Sequence, residues 1–352
     1  MKPRKTATDA LNVKVARRVL QETLELKPGE SVTIETWSNS IPLALAFSLE
    51  AKRLGAIPLT IFEDEDSYVE GIKVMPKETL GAMGKHEYGL LEATDAYVFI
   101  PGPPLAPYSR KITRQEFVDS TRYNDSWYEA AAKAKLRGAR LTSGYIGEDM
   151  AKVLGKDIGE VIDHQLNAAL VDFDAVGRSA KVIAGKFRDG TSVSISGRGT
   201  DLTFELKGDL DIQDGRTDAS DIASGENVSY VPPGFVFKEM DGGTAKGKVL
   251  LAPTLTRFGL LRDADLVVRD GQIVEWSSKG SPLVLRALAE AIPERSRVLR
   301  AVTVGLNPIM RYGFGQDRFP AGAVGLVGAF TGILREVTLK AGSEAVVRAG
   351  TL

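Results

Sequence analysis

Gly199-Thr200-Asp201-Leu202-Thr203-Phe204, followed by Lys207-Gly208, is the stretch of this 352-residue chain from which the fold is read. It reads as a short strand, Leu202–Leu206, entered through a tight Gly197-Arg198-Gly199 turn. Its neighbours share that character. Lys181–Ala184, Ser192–Ser196, Lys248–Leu251, Asp265–Arg269 and Gln272–Trp276 are further short strands, with Asp189-Gly190 and Asp270-Gly271 as hairpin turns. One helix, from Ser281-Pro282 towards Ile292, interrupts the series. This half is predicted as α+β with mostly antiparallel strands.

Upstream the rhythm changes. Leu11, Val15, Val19 and Leu20 share one face of a helix over 10–26, which stops at Lys27-Pro28-Gly29. Strands at Ser31–Thr36, Ile57–Phe62, Ala96–Ile100 and Ala139–Thr142 alternate with helices. One helix runs from a Ser40 cap to Gly55, one is opened by Pro76, and one is capped by Asp125 or Ser126 and ends at Gly138. The expected organisation is an α/β amino-terminal domain with a mainly parallel sheet over 1–150, a helical linker over 151–178, and an α+β carboxy-terminal domain over 179–352. Phe319–Leu334 is the longest uncharged run and is rich in glycine; it reads as a buried strand and turn, too short for a membrane span of ~20 apolar residues.

Composition narrows the chemistry. The chain carries 45 basic and 46 acidic side chains, a net charge of −1, and no cysteine. Disulfides, thiolate metal sites, iron–sulfur clusters and cysteine nucleophiles are excluded. Balanced charge leaves no electrostatic footprint for nucleic acid. Met1-Lys2-Pro3-Arg4-Lys5-Thr6 is basic but no apolar core follows, so no signal peptide is expected and the location is expected to be cytoplasmic. There are only two histidines, His86 and His164, whereas zinc hydrolases and non-haem iron enzymes use two or three imidazoles. A serine–histidine–aspartate triad would depend on one of them. His164 falls on a predicted helix beside Asp163, which cannot orient its own sequence neighbour there, and His86 lies near a helix end. Walker A, HExxH and G-x-S-x-G sequences are absent.

Gly199-Thr200-Asp201-Leu202-Thr203 closely resembles the GTDLT strand of the aminopeptidase T metallopeptidase family, which also has relatives similar to 2,5-dihydroxypyridine dioxygenases. Lys27-Pro28-Gly29-Glu30-Ser31-Val32, Lys52-Arg53-Leu54-Gly55-Ala56, Pro232-Pro233-Gly234-Phe235-Val236-Phe237 and Leu306-Asn307-Pro308 resemble further segments of that family in the same order. The resemblance implies a carboxy-terminal domain that carries a metal site and dimerises. In the peptidases two metals are held by glutamates, histidines and an aspartate, with a further carboxylate or tyrosine. Here the matched positions fall at Phe235, at Arg300 or Ala301, near Val324, and near Phe330 or beyond. Apolar residues have no lone pair for a cation. The resemblance therefore carries over the architecture, with no metal and no cofactor.

Ligands of open parallel sheets bind beyond the carboxyl ends of the strands. The first strand ends in Glu35-Thr36-Trp37-Ser38-Asn39-Ser40, offering Trp37, Ser38 and Asn39 as substrate-binding groups or simply as a helix cap. The second ends in Glu63-Asp64-Glu65-Asp66, a solvated loop or an oxygen-ligand cation site, and the third in the stiff loop Pro101-Gly102-Pro103-Pro104. In the second half, Arg311 and Arg318 could clamp a carboxylate while Tyr312 and Asp317 act as acid or base. Lys238, in apolar surroundings, could serve as base or nucleophile beside Glu239.

The expected function is a metal-independent enzyme acting on a small polar, amide-like or cyclic substrate in a cleft between the domains, by hydrolysis or acid–base chemistry. Two alternatives stay open: a catalytically inactive binding or assembly protein, and a hydrolase with a relocated carboxylate metal site. The expected partner is a small molecule, with no nucleic acid or membrane, and with a homodimer possible through the carboxy-terminal domain.

Overall fold

The computed structural model describes residues 7–102, 112–256, 259–315 and 319–352. The chain divides into two compact units, Met1–Leu170 with Gly215–Pro232, and Val171–Asp214 with Pro233–Leu352. The crossing falls at Leu170/Val171 rather than along a linker over 151–178, and a later excursion returns to the first unit.

The first unit is built on β1 (Ser31–Trp37), β2 (Ile57–Glu63), β3 (Ala96–Phe99), β4 (Arg137–Leu141) and β7 (Val228–Val231). All four pairings of the order β2-β1-β3-β4-β7 are parallel. The first four strands are those the sequence predicts; β7 comes from the returning excursion. Alternate residues explain the two faces. Val32, Ile34, Ala96, Val98, Ala139, Leu141 and Val231 form a core with Val15 and Ala16 of α1 (Ala7–Arg18) and Leu43, Ala44, Phe47 and Ala51 of α2 (Ile41–Arg53). The opposite face carries Thr33, Glu35, Tyr97, Phe99, Arg140 and Tyr230. There Tyr97 and Phe99 pack with Leu91 of α4 (Lys85–Glu92) and with Trp127, Ala130 and Ala131 of α5 (Arg114–Lys133).

Two helix starts differ from expectation. α5 begins far upstream of Asp125 and Ser126, because Thr113 and Glu116 form a reciprocal capping box at its amino end. Pro76 opens only a turn, between α3 (Glu65–Val74) and α4. The helices α6 (Glu148–Leu154) and α7 (Ile158–Ala168) close the continuous part of the unit, and α7 carries His164.

The second unit starts with α8 (Phe173–Ala184), capped by Asp172. Lys181–Ala184, expected as a strand, is its last turn. Phe173, Val176, Gly177, Ala180 and Ile183 are buried at helical spacing, and this periodicity overrides the local β-branched residues. The sheet has the order β13-β12-β9-β6-β8-β14-β15-β16, with β5 joining at β6. Its centre is β6 (Thr200–Gln213), longer than the five residues expected. The first half of β6 pairs antiparallel with β5 (Ser192–Gly197) and β9 (Lys246–Leu251), the second half with β8 (Phe235–Met240). The register shifts between Leu206 and Leu210, so Lys207-Gly208 is a bulge. Gly208 has φ +106, and a Cβ there would meet the Glu239 carboxylate at 2.3 Å. Residues 200–208 thus lie on one strand shared by two sets of partners.

β12 (Ala264–Arg269) and β13 (Gln272–Ser278) form the expected hairpin, and a helix, Pro282–Ala291, follows. β14 (Leu299–Gly305), β15 (Val324–Gly328) and β16 (Gly332–Leu334) are antiparallel neighbours, so Phe319–Leu334 supplies buried strands as read. Two segments of the family resemblance meet here. Asn307, fully buried, donates from Nδ2 to the Pro233 carbonyl at 2.8 Å and accepts at Oδ1 from the Ile309 and Met310 amides at 3.0 and 3.2 Å. Among the described residues no helix is long and apolar enough to cross a membrane.

Candidate functional site

The polar face of the first unit's sheet holds an unusual row. The register places Ile61, Glu35, Phe99, Arg140 and Tyr230 side by side on five neighbouring strands. Strands buried in parallel sheets normally read as apolar runs. Here a carboxylate and a guanidinium stand in the same row with one ring between them.

Glu35 is half-buried and accepts a hydrogen bond from the Tyr97 hydroxyl. Burial pushes its pKa from 4.5 up to about 7; the bond from Tyr97 pulls it back, the Glu63 and Glu87 charges push it further up, and Arg140 opposes them. Glu63, at the end of β2, is also raised, by burial and then by Glu87. Tyr97 stays protonated, because burial and the Glu35 charge drive its ionisation upward. Tyr123, on α5, donates to Glu87 at 2.5 Å and is raised by burial and by that bond. Two carboxyls are thus each met by a phenol that remains a donor.

Arg140 is enclosed differently. It donates from Nη1 to the Tyr128 hydroxyl at 2.7 Å and from Nη2 to the Tyr145 hydroxyl. Its guanidinium carbon lies 5.3 Å from the Phe99 ring centroid and 5.7 Å from those of Tyr145 and Tyr230. Trp127 stands edge-on between Tyr97 and Tyr128, at 5.1 and 5.3 Å. Sequence reasoning stopped at the strand ends and missed Tyr97, Arg140 and their phenols. The available signal was a charged residue inside Arg137-Gly138-Ala139-Arg140-Leu141, a strand otherwise fit for a buried sheet.

The residues singled out from sequence fall in three places. Trp37, Ser38 and Asn39 close β1, two to four residues past Glu35. Trp37 is buried, edge-on to Tyr68 at 5.3 Å, with no partner for its Nε1–H among the described residues. Its ring lies where a Cβ on Gly102 would sit. Ser38 is exposed, and Asn39 donates from Nδ2 to the Gly144 carbonyl at 2.8 Å, fastening β1 to the turn Thr142–Tyr145. Asp64, of the acidic run, accepts from the Ser67 amide at 3.0 Å and caps α3.

In the second unit Lys238 is buried, and its Nζ donates to Asp189 at 2.6 Å and to the Gly208 carbonyl. Asp189 is held below the usual carboxylate range chiefly by that bond from Lys238. Glu239 points to the other side of β8 and accepts from the Asp209 amide at 3.2 Å. Tyr312 carries the Arg335 guanidinium 4.9 Å above its ring, and Arg311 is exposed. Asp317 and Arg318 lie outside the described residues.

The positions at which the resemblance places metal ligands carry mostly apolar side chains. Phe235 and Phe319 pack edge-to-face at 5.0 Å, Ala301 and Val324 are fully buried, and Phe330 packs against Trp276. Arg300 is exposed. None of these side chains offers a lone pair to a cation. Among the described residues no group of three or more histidine, aspartate or glutamate side chains is placed to hold one.

The two units together, a parallel α/β sheet and a separate antiparallel one, define an aminopeptidase-T-like fold. Wild-type AmpT from Thermus thermophilus is similar with a TM-score of 0.69 over 98% of this chain and 99% of that one, at 16% identity. The 2,5-dihydroxypyridine dioxygenase from Pseudomonas putida KT2440 is similar with a TM-score of 0.64 over 99% of this chain and 98% of that one, at 15% identity. No family profile and no curated protein sequence matches the chain.

Proposed function

We propose that this protein is an enzyme performing metal-independent acid–base chemistry on a small polar molecule at the polar face of its five-stranded sheet. Glu35 carries the reading. A carboxyl with a pKa of about 7 is divided between its two forms at neutral pH, so it can both take and return a proton. Hydrolysis of an amide-like or cyclic substrate needs both acts: a base to draw a proton from water, then an acid to protonate the departing nitrogen. The Tyr97 hydroxyl holds the carboxyl in one orientation while it does so. The apolar residues at positions 235, 301, 324 and 330 support independence from metal.

Tyr312, Asp317, Lys238 and Glu239, with Arg311 and Arg318, are the competing set, and alanine at each belongs in the same assay. A homodimer through the second unit and a cytoplasmic location belong to the proposal as well. The test is a panel of amides and cyclic amides incubated with chelator-treated protein. Turnover that survives chelator and falls at least ~100-fold in Glu35→Gln supports the reading. Turnover abolished by chelator, or unchanged in Glu35→Gln, overturns it.

A second reading has its own supporting observation. Phe235, at a position where the family resemblance implies a metal ligand, packs edge-to-face on Phe319, as expected of a binding protein derived from an enzyme. Wild-type protein inert towards the whole panel favours it.

A further inference from the structure

We propose that Arg140, with the hydroxyls of Tyr128 and Tyr145, is the clamp for the carboxylate of a small organic monocarboxylate whose body extends over Phe99 towards Glu35. This deepens the reading above by naming the ligand class of the same sheet face.

Among the described residues Arg140 has no ion-pair partner. Arg140 is half-buried, and among the described residues its guanidinium is met by phenol oxygens and ring faces, with no carboxylate in ion-pair contact. Holding a cation away from water without a counter-charge is costly. A site that keeps such a cation is suited to a ligand that brings the anion. The donor inventory agrees. A guanidinium has five N–H groups; one on each terminal nitrogen goes to a phenol, which leaves one on each for a two-oxygen acceptor. The two phenols accept from Arg140, so their own O–H groups are free in direction and can turn to the same anion.

The charge distribution selects the anion. Glu35, Glu63 and Glu87 lie close enough to repel one another at the acidic end of the row. A doubly charged phosphate beside a single guanidinium would meet net repulsion there, whereas a singly charged carboxylate would be matched. The register selects the length. Arg140 and Glu35 are separated by one strand, so about 10 Å lies between their backbones, the reach of a compact organic acid. Phe99 occupies the position between them in the register, and its ring already carries the Arg140 guanidinium at 5.3 Å, which aims the clamp along the row.

The test is calorimetric titration with benzoate, and with acetate and inorganic phosphate for comparison. Wild-type protein is expected to bind benzoate saturably, acetate more weakly and phosphate not at all. Arg140→Met is expected to weaken benzoate at least ~10-fold. Tyr128→Phe, which keeps the guanidinium, is expected to weaken it a few-fold, and thermal melts establish that each variant is folded. Glu35→Gln is expected to bind benzoate at least as well as wild type. Absence of saturable benzoate binding, or equal affinity in wild type, Arg140→Met and Tyr128→Phe, overturns the clamp. Phosphate binding as tight as benzoate overturns the ligand class. Arg140-dependent benzoate binding alongside full turnover in Glu35→Gln would sink the catalytic reading while leaving the clamp in place.

Discussion

The Tyr97 hydroxyl donates a hydrogen bond to the Glu35 carboxyl across two adjacent parallel strands, from the same face of the sheet. The pair is diagonal in the register: Glu35 stands opposite Phe99, and Tyr97 opposite Thr33. That offset lets a long phenol reach a shorter carboxyl, and it places a proton donor beside a carboxyl that burial has made reluctant to ionise.

Removing the donor moves the acid. The bond from Tyr97 lowers the Glu35 pKa, so Tyr97→Phe is expected to shift the Glu35 titration to higher pH. The lost bond is expected to cost about 0.5–1.5 kcal/mol of stability. Titration of the variant, together with its urea unfolding curve, checks both. A titration moved to lower pH would contradict the assigned hydrogen bond.

Glu35 also makes stability depend on pH. Its folded pKa is about 7 against 4.5 for the ordinary group, so between those values the folded state holds more proton than the unfolded. Stability therefore falls as pH rises from 4.5 to 7 and levels off above, by about 3 kcal/mol from this group alone. Glu35→Gln is expected to flatten that window. Urea unfolding of both proteins across the range measures the difference; parallel curves would show that Glu35 ionises at an ordinary pH.

Lys238 and Asp189 form an asymmetric pair, since the lysine is buried and the aspartate side chain is 64% exposed. Asp189→Ala leaves a buried ammonium with only the Gly208 carbonyl, whereas Lys238→Met leaves an aspartate that water solvates. Asp189→Ala is therefore expected to lower the melting temperature more than Lys238→Met. If Glu35 is the working acid, neither change abolishes turnover. A selective loss of activity in Lys238→Met would return the lysine to the catalytic set.

Asn307 ties the turn after β14 to Pro233 through one hydrogen bond and braces that turn through two more, from the Ile309 and Met310 amides. Asn307→Ala orphans a buried carbonyl and two amides, at an expected cost of about 2–4 kcal/mol. Gly234→Ala presses on the same place, because its Cβ would meet Asn307 at 2.8 Å with φ at +118. Thermal unfolding measures both.

Much of the framework was legible in the sequence because its signals are local. Strands β1 to β4 announced themselves as apolar runs between helices, and Asp270-Gly271 marked the β12–β13 hairpin. Lys181-Val182-Ile183-Ala184 misled because β-branched residues outweigh a helical period in so short a window. The site was half legible. Glu35 was visible as a strand-end carboxylate, but the rest of the site arrives from four separate places: Tyr97 on β3, Tyr123 on α5, Arg140 on β4 and Tyr230 on β7. β7 reaches the sheet only through the excursion at Gly215–Pro232, which no local pattern announces. The family resemblance drew attention to the second unit, where the matched positions are packed with phenylalanine, alanine and valine.

The most direct measurement is the pKa of the Glu35 carboxyl, from carbon NMR titration of glutamate-labelled protein with Glu35→Gln identifying its resonance. The account predicts a midpoint near 7. A midpoint near the ordinary 4.5 would mean that Glu35 is a solvated carboxylate, and the acid–base function proposed for this sheet face would fall with it.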